Sequence, residues 1–180
     1  MTKLLLTFVF TLSATVAAQH PQDHHAQMNV RGEKAMGFDQ AATTHQFSLH
    51  DDGGTIQVLV KDPKDQTNLA AIRAHLPHIS KMFAAGDFSM PHFIHEEDVP
   101  GTKGMKRLRD RIAYAYEDVP GGGRVRITTR HATALAAVHQ FLRYQITDHK
   151  TRDRLEITRR EATNRDARHS VTSRGLADVS

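Results

Sequence analysis

The chain has 180 residues, a formal net charge of +4, 13 histidines, and neither cysteine nor tryptophan. Without cysteine it can form no disulfide, no thiolate metal site and no lipid anchor on a cysteine, so its fold must stand on its core alone. Aromatic residues make up only 6% of the chain, which argues against a base-stacking nucleic-acid platform.

Residues 1–18 read as a cleavable signal peptide: Lys3, an apolar run from Leu4 to Ala18, and the small-residue exit Val16-Ala17-Ala18. The run is too short, and too polar at Thr7, Thr11, Ser13 and Thr15, for a membrane span of about twenty apolar residues. No later stretch approaches that length, so the expected mature product is a soluble periplasmic or secreted protein without a transmembrane span. About 160 residues remain after cleavage, enough for one domain. Residues 19–40 read as a flexible arm. Cleavage after Ala17 would expose Ala18-Gln19-His20, an amine, two amides and a third-position imidazole suited to square-planar Cu(II) or Ni(II), with His20 as the side-chain ligand. Cleavage after Ala18 removes that arrangement and leaves a solvated arm.

The domain is expected over residues 41–150. Thr44 to Leu49 alternates, turns through Asp51-Asp52-Gly53-Gly54 and returns as Thr55 to Val60, the pattern of a hairpin. A polar link precedes a helix from about Asn68 to Ala85. Residues 86–103 form a loop rich in Asp, Pro, His and Met, a candidate site wall. A second hairpin follows, Ile112 to Tyr116, a turn at Pro120-Gly121-Gly122-Gly123, and Arg124 to Thr129. A helix from about Ala132 to Asp148 closes the unit. The two helices match in detail, with Leu69-Ala70-Ala71-Ile72 answering Leu135-Ala136-Ala137-Val138. The expectation is therefore an α+β fold built from a tandem ββα repeat, residues 41–85 and 110–149. Its sheet would be four-stranded and mainly antiparallel, with two helices on one face. Residues 151–180 are polar and basic, with no sustained apolar period, and read as a disordered tail.

A helical wheel places Leu69, Ile72, Leu76, Ile79 and Phe83 in one apolar arc, with His75, His78 and Met82 along its flank at i, i+3 and i+7. The second unit has Phe141 and Tyr144 where the first has His75 and His78. His45 shares a strand face with Phe47 and Leu49, and the loop contributes His95. Imidazole suits copper, zinc and nickel, and thioether sulfur favours Cu(I). His45, His75, His78, Met82 and His95 are thus candidate ligands for copper or zinc. The competing reading makes His75 and His78 boundary residues and Met82 a core filler, because no strict ligand motif is present.

His95-Glu96-Glu97-Asp98 could supply an acid and a base, but no nucleophile can be assigned beside it. Gly121-Gly122-Gly123 precedes a strand and lacks Gly-Lys-Ser/Thr, so it is a turn and not a phosphate loop. The basic run Lys103, Lys106, Arg107, Arg109 and Arg111 reads as a solvated face, with an anionic envelope polymer as the alternative.

At Met36-Gly37-Phe38, Thr43-Thr44-His45, His75 through Phe83, and Gly122 through Thr129, the chain resembles a group of small exported bacterial proteins. The resemblance spans roughly Met28 to Asp153 and implies export and a single domain, but no activity. The carbamoyltransferase-type name carried by some such proteins does not transfer, since this chain is too short for that two-domain enzyme. The function expected from these observations is an exported metal-binding protein handling copper or zinc in the cell envelope. Its rivals are a metal-free module that binds an envelope protein and a small hydrolase or transferase using the His95 loop. Oligomeric state is left open.

Overall fold

The computed structural model of the chain describes residues 21–159. In chain order they form α1 (Pro21–Met36), β1 (Thr43–His50), β2 (Gly53–Val60), α2 (Gln66–Ala84), α3 (Ser89–His95), α4 (Thr102–Arg107), a 3-10 turn (Arg109–Arg111), β3 (Ala113–Val119), β4 (Gly122–Thr128) and α5 (Ala132–Asp148). The class is α+β, and the strands make one antiparallel sheet in the order β1-β2-β4-β3. The signal peptide, His20 and residues 160–180 lie outside the described residues. Among the described residues, no helix is long and apolar enough to cross a membrane.

Register follows from side-chain alternation. Phe47 on β1 stands opposite Ile56 on β2, which stands opposite Val125 on β4, and all three are buried. Their neighbours Gln46, Gln57 and Arg124 form the adjacent row, where Gln57 donates to Gln46 at 2.7 Å and Arg124 donates to Gln57 at 2.9 Å. A one-residue slip would exchange these rows and place amides and a guanidinium among the core side chains, which makes the register unambiguous. Helix α2 packs against β2, β3 and β4, and α5 against β1 and β2. Ile72, Leu76, Ile79 and Phe83 of α2 join Val138, Phe141 and Leu142 of α5 and the buried strand residues in one core.

Of the glycines expected in the turns, Gly121 is there, at φ 75°, and the others do other work. The first turn is the two residues Asp51 and Asp52, and Gly53 and Gly54 already belong to β2. A Cβ on Gly54 would sit 2.3 Å from Leu142 Cδ1 and 2.4 Å from the Ser48 carbonyl oxygen, so this glycine lets α5 settle on the sheet. Gly122 and Gly123 likewise lie in β4 rather than in the turn.

Three stretches expected to be irregular are structured. The arm carries the 16-residue helix α1 because Met28, 1% exposed, is an apolar anchor and Arg31 donates to the Ile94 carbonyl at 2.8 Å. The loop after α2 holds α3 and α4, pinned by buried Phe88, Ile94, Val99 and Met105. The tail as far as Arg159 lies along the open edge of β1. There Asp153 accepts from the Phe47 backbone N–H at 2.8 Å, and the Thr158 N–H donates to the Leu49 carbonyl at 3.0 Å. Edge backbone groups of β1 that would otherwise face water are paired this way.

Candidate functional site

Four histidines from four parts of the chain wall one narrow cavity of about 60 Å³: His45 of β1, His75 of α2, His95 of α3, and His149 just past α5. Such a volume admits a few water molecules or a single ion with a ligand. Phe47, Leu76 and Phe141 supply apolar wall, and Met36 and Met90 bring thioethers. His45 faces inward because it lies two residues before Phe47 on the same strand face. His75 is one residue before buried Leu76, so it sits at the rim of the α2 stripe and remains partly exposed.

The rings are closely spaced. His45 and His149 lie 5.4 Å apart, centroid to centroid, and His149 and His95 lie 5.1 Å apart at 85°. Phe38 bridges the other side, 5.9 Å from His45 and 5.8 Å from His75. Burial, reinforced by His75, depresses the His45 pKa to about 4, and burial together with His78 does the same for His75. His149 is pushed well below the usual imidazole range by burial and then by His45, His95 and His25. Desolvation and mutual repulsion both disfavour the charged form, so these three rings are neutral at neutral pH. Each then keeps one nitrogen lone pair.

His95 is 2% exposed and fully engaged. Its Nδ1 lies 2.6 Å from Asp148 Oδ2, and its Nε2 lies 3.3 Å from Gln145 Oε1. Asp148 also meets His24 of α1, Nε2 to Oδ1 at 3.5 Å. Tyr144 donates to Glu97 beside this pair. The Gln145 Nε2 is buried and has no hydrogen-bond partner.

Of the residues singled out from sequence, His45, His75 and His95 come together here. His78 is exposed on α2 and Met82 packs against the core, and neither lines the cavity. The i, i+3, i+7 flank splits because His78 falls about 60° further round the helix from the apolar arc than His75 does, and of the three only His75 lines the cavity. His149, Asp148 and Gln145 escaped sequence reading. Phe141, Gln145 and His149 recur at i, i+4 and i+8, the one local sign that the buried stripe of α5 continues past its last turn. Among the described residues, no group of three or more His, Asp or Glu is arranged to hold an ion as the side chains stand. No family model, curated protein or solved structure matches the chain.

Proposed function

We propose that the protein binds a transition-metal ion, copper first and zinc second, in the histidine-walled cavity, and that it handles this ion in the cell envelope. The observation that carries the reading is the gathering of His45, His75, His95 and His149 around one small apolar space. Nothing in core packing asks for four imidazoles there, since each costs more to bury than an aliphatic side chain of similar size. Two imidazoles bound to one tetrahedral ion, with metal–nitrogen distances of about 2.0–2.1 Å, have centroids about 5 Å apart. The separations of 5.1 and 5.4 Å at His149 are of that size. Binding then requires the rings to turn so that their nitrogens aim at a common point. Neutral imidazoles suit copper and zinc, and Met36 and Met90 add a preference for Cu(I).

The test is elemental analysis of the untagged mature protein, purified from the exported fraction without chelators, followed by titration of the metal-free form with copper and zinc. The expected result is close to one ion per chain. A protein that is isolated without metal and ignores both added ions overturns the reading, and attention then passes to envelope-protein partners.

A further inference from the structure

The contacts of His95 bear on how it would serve such a site, so the role assigned to it here rests on the metal reading. A histidine that binds an ion through one ring nitrogen commonly donates the other N–H to a carboxylate, which fixes the tautomer and the ring orientation. His95 has such a carboxylate in Asp148, 2.6 Å from Nδ1, in a position where the ring itself is buried. The other nitrogen, Nε2, faces the Gln145 amide, and both residues line the cavity. Gln145 is 6% exposed, and as placed its Nε2 is buried without a hydrogen-bond partner while its Oε1 faces His95. In a neutral ring that donates Nδ1–H to Asp148, Nε2 is a bare lone pair, and with the Gln145 amide turned over its NH2 stands in place of Oε1 and can donate to that nitrogen.

We infer that Asp148 is a positioning residue that presents His95 Nε2 as a metal ligand, and that Gln145 covers this nitrogen until an ion replaces it. Asp148 belongs to the last turn of α5 and His149 follows it, so one chain segment sets two of the cavity's imidazoles. Neither residue is predicted from motif spacing, because the carboxylate and the ring it orients lie on different helices.

Two measurements on the mature full chain decide this. Nitrogen-15 correlation spectra of the metal-free wild type are expected to show His95 protonated on Nδ1 and bare on Nε2. Affinity for zinc(II) and, anaerobically, copper(I) is then compared in the wild type, Asp148→Asn and Gln145→Ala. Asp148→Asn is expected to weaken binding about 10- to 100-fold at unchanged stoichiometry. Gln145→Ala should bind as tightly as the wild type or more tightly, since no amide has to be displaced. A proton on Nε2 in the wild type overturns the inference without recourse to any variant. Wild-type affinity in Asp148→Asn overturns it while leaving the metal reading intact. A wild type that binds neither ion removes the metal reading and this inference together.

Discussion

His45 and His149 stack across the cavity at 5.4 Å with their planes inclined by 25°, although one belongs to the first strand and the other follows the last helix. Phe47 lies on the same side, 5.7 Å from the His149 ring, so the pair is enclosed by apolar surface. The contact joins the first strand to the end of the last helix at the candidate site, and its chemistry has measurable outcomes.

Acid should destabilise the fold over a defined window. In the unfolded chain a histidine titrates near pH 6.5, whereas His45 and His75 titrate at about 4 in the fold. Between those values the unfolded state binds more protons, so the contribution of these two histidines is complete above about pH 6.5, declines as the pH falls, and is gone below about 4. The loss is at most about 3 kcal/mol for His45 and less for His75, which is partly open to solvent. Denaturant unfolding at pH 7 and pH 4.5 should show the drop, and His45→Phe should shrink it. A wild-type profile that is flat from pH 7 to 4.5 would contradict the neutral state of these half-buried rings.

The histidines should separate into two groups by their effect on metal binding. Alanine at His45 or His149 is expected to lower affinity by about 100-fold or more, beyond the usual effect of an outer-shell residue. His78→Ala and Met82→Ala should leave it within about twofold, since neither side chain lines the cavity. Calorimetric titration with zinc(II) distinguishes the two groups, and strong loss in His78→Ala would mean that the ion sits on the α2 flank instead.

Gly54→Ala should destabilise the protein by about 1–3 kcal/mol, through overpacking against Leu142 and the Ser48 carbonyl. The leucine can rotate away, but the carbonyl belongs to the β1 ladder and cannot shift without disturbing the pairing. Thermal unfolding checks this, with a substitution at the solvent-exposed Ala136 as the control.

Met28→Ala removes the apolar anchor of α1, and truncation of a buried methionine costs about 2–5 kcal/mol. Helix α1 packs chiefly against α3, so the loss should appear as local opening. Hydrogen exchange should accelerate in α1 while the strand amides keep their protection. Uniform acceleration throughout would show instead that α1 is part of the cooperative core.

Both hairpins and the buried stripe of α2 could be read directly, because strand alternation and helical periodicity are local and Ile72, Leu76, Ile79 and Phe83 repeat at helical spacing. The order β1-β2-β4-β3 could not, since the pairing of β2 with β4 joins residues such as Ile56 and Val125 that share no local signal. Helix α1 was hidden for a related reason: it is polar overall, and its packing against α3 joins residues far apart in the chain.

The candidate site divides along the same line. Composition and spacing were enough to exclude disulfide and thiolate chemistry, to mark the histidines as the notable side chains, and to single out His45, His75, His78, Met82 and His95. Which imidazoles share a space was settled by three-dimensional packing, which admitted His149, brought Asp148 to His95 and left His78 in solvent. The physical reason is that ligand geometry and desolvation act across a few ångströms of space. Strand and helix periodicity act along the chain and carry no record of which distant residue arrives there.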